Sequence, residues 1–529
     1  MRTTGSHGSH TADGRTIPVM ARGAALAAAA GVGATMLGIG VGELAGAIVG
    51  TSPVAAVGSA AIDGAPPWAK DTAIALFGTG DKIALLTGIA IVLAAVAAGA
   101  GLIERRAPAW GRALLALLGM IGIAAAVTRA DAGGLAWLPA VLAAGVAIAT
   151  LPALLRRIPD GAPADASAQA PAPPPTRRAF LVWTGTATVL GVLAAVGATA
   201  LRAGNRAVTS VREALALPTP TTTVSVPAGA ELRIPDLSPV ITPNADFYRI
   251  DTALIVPQVD PATWSLRIHG LVENEITLTW DELLALPLEE SATTLTCVSN
   301  DVGGDLIGTA VWLGYPIRAL LARAVPQAGA DMVLSTSVDG FTAGTPLEAL
   351  TDENREAILA VGMNGEPLPI AHGFPVRMVV PGLYGYVSAT KWVTDLEVTR
   401  FADASAYWTS RGWSERGPVK LSSRIDVPRQ GSSIASGDAV IAGVAWQQHV
   451  GIRGVEVQVD DGAWQPATLA TAISDDTWVQ WMLPWSAPSG SHTIRCRAIS
   501  STGESQTSAE APPAPDGSTG WHEIRVQVA

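Results

Sequence analysis

Five stretches of the chain are apolar for long enough to cross a bilayer, and all lie within its first 202 residues. They run over residues 23–49, 83–103, 110–127, 135–155 and 179–201, against the roughly 20 residues that a spanning helix needs. The third is the shortest. Residues 71–77 form a further apolar segment, read as lying at the membrane interface before the second span. Positive charge is shared unevenly among the intervening loops. Arg105, Arg106 and Arg112 separate the second and third stretches, and Arg156, Arg157, Arg177 and Arg178 separate the fourth and fifth. Arg15 and Arg22 precede the first, while the loops at 51–70 and 128–134 are poorer in Lys and Arg. Positive loops stay on the cytoplasmic side. The pattern therefore predicts a cytoplasmic tail (1–22) and a membrane region (23–202) crossed five times. The remainder lies outside the cytoplasm, as part of a multi-pass protein of the cell membrane. Glu43 falls inside the first span and is read as a carboxyl facing another helix, although buried carboxyls in spans are often functional.

Beyond a linker at 203–233, with Pro and Thr concentrated in Leu217–Val226, the pattern becomes that of a soluble protein. Trp264–Gly270 alternates like a strand. Thr279–Leu286 opens on Trp280-Asp281-Glu282 and reads as a helix start, as Ile317–Ala324 and Leu347–Leu359 read as helices. Arg377–Val380 and Trp392–Val398 read as strands. Residues 234–417 are thus predicted to form an α+β domain. From 418 to 529, strand-like runs at Ala439–Trp446, Gly454–Val459, Thr477–Leu483 and His492–Ala498 are punctuated by turn signals such as Asp460-Asp461-Gly462. Even spacing and little helix predict an immunoglobulin-like β-sandwich. Its tryptophans, Trp446, Trp464, Trp478, Trp481 and Trp485, read as core or interface residues. A homodimer contact through this domain is expected.

Composition narrows the function. The net charge of -11 and the absence of basic runs interleaved with aromatics argue against nucleic acid. No span contains a histidine and no Cys-x-x-Cys-His occurs, so no haem is predicted. Residues 159–175 are rich in Pro and Ala and read as a disordered cytoplasmic linker. They lead into Thr176-Arg177-Arg178-Ala179-Phe180-Leu181, which resembles a twin-arginine export signal retained as an anchor. Two cysteines, Cys297 and Cys496, are too few for a disulfide framework; one disulfide between them is open, but they fall in separate predicted domains, which favours a chemical use of Cys297.

Cys297 closes the strand-like run Thr293–Thr296 and precedes a loop containing Gly303 and Gly304, where backbone can approach a ligand closely. The residues alone leave three uses open: a soft metal ligand, a nucleophile, or an inert buried thiol. A second cluster runs from His372 and Arg377 through Pro381-Gly382-Leu383-Tyr384-Gly385-Tyr386 to Ser388 and Lys391-Trp392. It suits an anionic, ring-bearing ligand, with Arg and Lys for phosphate and glycines for close approach.

In order along the chain, Phe247–Asp251, Leu295–Asn300, Ser337–Phe341, His372 with Arg377, Ser388 with Lys391-Trp392, and Ser423–Pro428 resemble the sulfite oxidase family of molybdenum–pterin enzymes. The resemblance covers about residues 243–529. It implies a catalytic domain at 234–417 and a dimerisation sandwich at 418–529. The cofactor would be molybdenum–molybdopterin, bound to protein through Cys297. Arg249, Asp251, Asn300, Asp339, His372, Arg377, Ser388 and Lys391 would hold the pterin and its phosphate, with Tyr407 at the substrate pocket. The chemistry would be two-electron oxygen-atom transfer on a small oxyanion or a sulfoxide-type substrate, served by an electron-transfer partner. Two departures narrow it. Where sulfite oxidases carry a histidine two residues after the first arginine, this chain has Asp251. Where they carry arginines after the cysteine segment, it has Asp301 and Val302, which disfavours sulfite; Arg411 is the candidate to compensate. Related bacterial protein-methionine-sulfoxide reductases work reductively outside the cytoplasm. Two rival readings are a thiol-dependent hydrolase or transferase using Cys297 with His372, and a non-enzymatic membrane protein displaying a sandwich domain.

Overall fold

A computed structural model describes residues 16–66, 81–129, 132–159, 176–203 and 206–529, together with positions 69, 72 and 76. Most of the expected cytoplasmic tail, most of the interfacial segment at 71–77 and nearly all of the Pro/Ala-rich linker lie outside the described residues. The chain divides into two compact units, residues 1–206 and 207–529.

The first unit is helical. Its helices are α1 (Thr16–Val49), α2 (Pro53–Gly64), α3 (Asp81–Arg106), α4 (Trp110–Val127), α5 (Leu138–Leu155) and α6 (Arg177–Ala203). All but α2 are long and apolar enough to cross a membrane. α1 packs against α3, α5 and α6. Small residues allow this close approach: a Cβ on Gly31 or Gly101 would collide with the carbonyl of Ala97 or Ala27 on the facing helix. The stretch at 51–70, read as a loop, contains α2. Ser52 caps this helix by accepting from Ala55 N, and Pro53 fills its first turn. Glu43 belongs to the same cap. Its carboxylate accepts from Ser52 Oγ at 2.9 Å and from Val54 N at 3.0 Å, a structural use in keeping with a carboxyl turned to a neighbouring helix.

The second unit opens with α7 (Arg206–Ala214), so the expected linker at 203–233 is partly helical. The rest of that linker is bound rather than free. Thr221 N donates to Leu288 O at 2.7 Å, and Leu232 N donates to Gln480 Oε1 at 2.7 Å. Two sheets follow. The first orders β2 (Ile276–Thr279), β1 (Ser265–Gly270), β10 (Val393–Thr399), β5 (Met332–Ser337) and β6 (Thr342–Pro346). The second orders β3 (Glu289–Thr296), β4 (Ile307–Pro316), β7 (Ile358–Met363) and β8 (Glu366–Pro367), with β9 (Arg377–Val379) also paired to β7. Short helices α8 (Trp280–Leu284), α9 (Ile317–Ala324) and α10 (Leu347–Thr351) connect them. α8 starts where the sequence placed it, because Thr279 and Glu282 form a complete capping box. The helix read over Leu347–Leu359 ends instead at Thr351. Ile358 and Leu359 open β7, a strand whose residues are all buried. A strand covered on both faces shows no alternation, and its apolar run imitates a buried helix.

The C-terminal region is two sheets around one core. One orders β11 (Ser422–Val427), β13 (Gly437–Trp446), β17 (Val479–Ala487) and β16 (Thr468–Leu469). The other orders β12 (Ser433–Ile434), β19 (His522–Val528), β18 (Gly490–Ser500), β14 (Ile452–Val459) and β15 (Gln465–Pro466). Ile441, Trp481, Val457, Ile494 and Cys496 fill the space between them. Trp446 and Trp478 are buried against the α+β domain's core instead.

Candidate functional site

β3 and β4 form a hairpin whose ladder runs from Glu289↔Gly314 to Thr296↔Ile307. Cys297 N donates to Leu306 O at 3.0 Å, which extends the pairing by one step before the chain loops out. Cys297 thus stands where a rigid hairpin gives way to a loop. Side chains alternate along a strand. Leu295, on the same face as Cys297, lies in a buried cluster with Phe247, Trp312 and Phe374. The loop is tied to itself by Asn300, whose Oδ1 accepts from Leu306 N at 2.8 Å. Asn300, expected on the cofactor, thus has its carboxamide oxygen engaged with the loop.

β9 brings the second cluster into the same sheet. Arg377 pairs with Ala360 on β7 and forms a bridge to Lys391. His372 ends a short 3-10 turn just before β9 and packs edge-on to Phe247 at 5.6 Å. Arg377 is buried. Its Nη1 donates to His372 O at 3.1 Å, and its guanidinium lies 4.9 Å from the centre of the Trp312 ring. Lys391 Nζ donates to Asp251 Oδ2 at 2.7 Å and to Ala371 O at 3.1 Å. Arg249 Nε meets the same carboxylate oxygen at 2.9 Å. Asp251, a departure in the sequence, therefore bridges two of the expected cations. Gly373 makes the approach of Arg377 and Lys391 feasible. It has φ +115, and a Cβ there would stand 2.9 Å from Arg377 Cβ and 3.2 Å from Lys391 Cβ.

Burial and like charge set the protonation of this group. Burial, followed by Arg377 and Lys391, lowers the His372 pKa to about 4, so the ring is neutral at pH 7. Burial brings Arg377 down to about 10. It brings Lys391 down to about 8, although Asp251 opposes the shift. Burial pushes the Cys297 thiol up, while hydrogen bonds from Ser299 favour its thiolate. Tyr248, which the sequence reading passed over inside its Phe247–Asp251 motif, is raised by burial and by nearby Cys297, with Arg377 opposing. Tyr384 is raised to about 12 by burial, with Cys297 among the contributors. Both tyrosines therefore sense the charge of the cysteine.

Other expected residues sit differently. Ser388 is fully buried, and its hydroxyl donates to Tyr384 O at 2.9 Å and Leu383 O at 3.3 Å, so it fixes a turn. Asp339 Oδ1 accepts from Phe341 N at 3.2 Å. Tyr407 belongs to an aromatic group with Phe341 (5.8 Å) and Trp408 (5.2 Å), and Arg411 lies 3.6 Å over its ring. Arg411, the candidate to compensate, thus lies on Tyr407.

A cysteine acting as a nucleophile needs a lowered pKa or an adjacent base. Burial raises the Cys297 thiol, and a bound metal, unlike a neutral imidazole, would stabilise its thiolate. Among the described residues, no three His, Cys, Asp or Glu side chains gather as a metal cage. A metal at Cys297 must therefore arrive with most of its ligands, as a metal carried by a pterin dithiolene does. Buried Arg377 and Lys391, with Arg249 beside them, match a phosphate. Ser337 Oγ, buried without a hydrogen-bond partner among the described residues, adds an unused polar group two positions before Asp339. The residues fit the group.

Comparison with known proteins agrees. The family described as Oxidoreductase molybdopterin binding domain matches residues 253–408. Mitochondrial sulfite oxidase of Rattus norvegicus is 30% identical over 341 residues, 54% of this chain and 62% of that protein. An uncharacterized oxidoreductase of Bacillus subtilis is 30% identical over 186 residues, 34% of this chain and 90% of that protein. The structure of the sulfane dehydrogenase SoxCD from Paracoccus pantotrophus overlaps with TM-score 0.49 and 24% identity, over 54% of this chain and 81% of that one. By sequence the chain is a member of the class that carries the oxidoreductase molybdopterin-binding domain. Within that class it belongs to the sulfite oxidase family, while matching 62% of the length of its rat relative.

Proposed function

We propose that the protein exchanges one oxygen atom and two electrons at the sulfur of a small oxyanion or a sulfoxide-type substrate, with Cys297 as the protein ligand to molybdenum. The observation that carries this is the position of Cys297: one step past the last rung of the β3–β4 hairpin, on the face of the strand turned to the layer that holds Arg377, His372 and Tyr248. When bound, the molybdenum centre supplies the two-electron oxygen exchange. The chain's own residues do the rest. Arg377, Lys391 and Arg249 hold the phosphate, neutral His372 offers a hydrogen bond to the pterin, and Asp251 keeps two cations from repelling each other in the binding site. The loop after Cys297 carries Asp301 and Val302, so it offers no positive charge to an anion, which favours a neutral sulfoxide over sulfite.

In the same reading the five apolar helices form a membrane bundle with the N-terminus inside and the catalytic domain outside the cytoplasm. The C-terminal sheets form an immunoglobulin-like sandwich that supports a homodimer, and a separate protein exchanges the electrons. The test is metal and pterin analysis of the full chain from a cofactor-competent host, with sulfite oxidation and sulfoxide reduction assayed side by side. Stoichiometric molybdenum in the wild type, with activity lost in folded Cys297→Ser, is expected. A wild-type chain without molybdenum, or a Cys297→Ser variant that keeps full activity, defeats the proposal.

A further inference from the structure

The segment that carries Cys297 takes many of its tertiary hydrogen bonds from the other domain. Thr294 N donates to Asp476 O at 3.0 Å, and Trp478 N donates to Thr294 Oγ1 at 2.8 Å. Gln448 Nε2 donates to Thr294 O at 3.1 Å and to Thr296 Oγ1 at 2.8 Å. Past the cysteine, Ser518 Oγ donates to Asn300 O at 2.6 Å and Arg424 Nη1 to Gly304 O at 2.7 Å. Asp476, Trp478, Gln448, Ser518 and Arg424 all belong to the C-terminal sheets or their loops. They hold the segment on both sides of Cys297 and leave the cysteine itself untouched.

Strand alternation explains the arrangement. Thr294 and Thr296 face the C-terminal sheets, so Leu295 and Cys297 face the opposite layer, toward Phe247 and Trp312. Fixing the two threonines fixes the rotation of the strand end, and with it the direction of the thiol. Gln448 is 2% exposed, and its second amide atom, Oε1, is buried without a hydrogen-bond partner among the described residues. An unsatisfied buried acceptor is destabilising, so stability alone is a poor reason for an amide at this place. Its Nε2, shared between the two threonines, supplies the reason.

We propose that the C-terminal domain is part of the metal site, with Gln448 and Ser518 as positioning residues that hold the Cys297 loop in its ligating direction from either end. This rests on the reading of Cys297 as the molybdenum ligand, and its test separates the two. The full-length chain, made in a host lacking the molybdenum cofactor, is labelled with N-ethylmaleimide, and each cysteine is followed by peptide mass. Cys496, fully buried in the C-terminal core, serves as an internal reference, because global unfolding exposes both thiols while loosening of the loop exposes Cys297 alone. Gln448→Met together with Ser518→Ala is expected to speed Cys297 labelling about tenfold, with Cys496 unchanged, since each lost bond is modest. Ser518→Ala alone, a small change at the domain seam, gives a lesser rise in the same direction. In the loaded enzyme the same variants shift the molybdenum–thiolate absorption band. Labelling of Cys297 at the wild-type rate, or parallel acceleration of both thiols, overturns the proposal. Failure of the wild-type chain to hold molybdenum defeats the ligand reading instead and leaves the labelling result standing.

Discussion

At the scale of single residues, the site is a problem of charge taken out of water. Arg377 is buried among Trp312, His372 and Tyr248, and Lys391 is tied to Asp251. A metal-free chain keeps these cations only because carbonyls and one carboxylate receive them. Histidine is the cheaper group to neutralise, and two histidines are held neutral: His372, and His522 in β19, whose pKa burial and then Arg424 lower to about 4. The consequence for acid stability has a definite sign. The unfolded chain binds these protons below about 6.5, whereas the folded chain refuses them until about pH 4. Stability present above pH 6.5 is therefore lost as the pH falls from 6.5 towards 4, by up to about 3 kcal/mol for each histidine. Denaturant midpoints from pH 7 to 4.5 should show this. His522→Gln keeps an acceptor for Ile425 N, which now donates to His522 Nδ1 at 2.9 Å, and should remove about half of the slope. A pH profile that the substitution leaves unaltered would show that His522 does not titrate between the two states. Tyr248 and Tyr384 mark the limit of reading residues from sequence. Nothing in their spacing says that chain segments so far apart both return to Cys297.

At the scale of elements, what the sequence disclosed follows local physics. The capping box at Thr279, the helix at Ile317–Ala324 and the hairpin strand before Cys297 each have a signal written within a few residues. What it concealed depends on neighbours. β7 is paired with β4, β8 and β9 within its sheet and all of its residues are buried, so its apolar run carries no period of two. The segment at 203–233 looks like a linker because its partners, Leu288 and Gln480, are distant in sequence. The turn that takes the Ser388 hydroxyl is equally hidden, because it forms only in three dimensions. The turn at Gly373 makes the most specific claim at this scale. A positive φ of +115 and the nearness of both Arg377 and Lys391 leave no room for a side chain. Gly373→Ala should destabilise the soluble unit by about 1–3 kcal/mol through backbone strain and crowding. It should also lower the retained molybdopterin, because both cations proposed to hold the phosphate are displaced together. Thermal denaturation and pterin fluorescence on one preparation decide it. A variant that matches the wild type in both shows that the turn has slack which the geometry denies.

At the scale of the whole molecule, cofactor chemistry and location constrain each other. A molybdopterin enzyme placed outside the cytoplasm but loaded inside it must cross the membrane folded. The chain has a feature suited to that order of events. Arg177 and Arg178 are exposed at the first turn of α6, the last of the apolar helices before the soluble unit. Two further arginines, Arg156 and Arg157, lie just after α5, so topology by positive charge alone is already provided for. A pair kept only for orientation would tolerate lysine, which carries the same charge. A pair read by a twin-arginine export system would not, because recognition depends on the guanidinium rather than on charge alone. Replacing both by lysine should leave the chain in the membrane fraction, with its soluble unit on the cytoplasmic side and shielded from protease in intact spheroplasts. The wild-type soluble unit should be cut under the same conditions. If the double-lysine chain is cut as readily as the wild type, the arginines serve only as topology charges, and the domain must acquire its molybdopterin by a route that does not require export in the folded state.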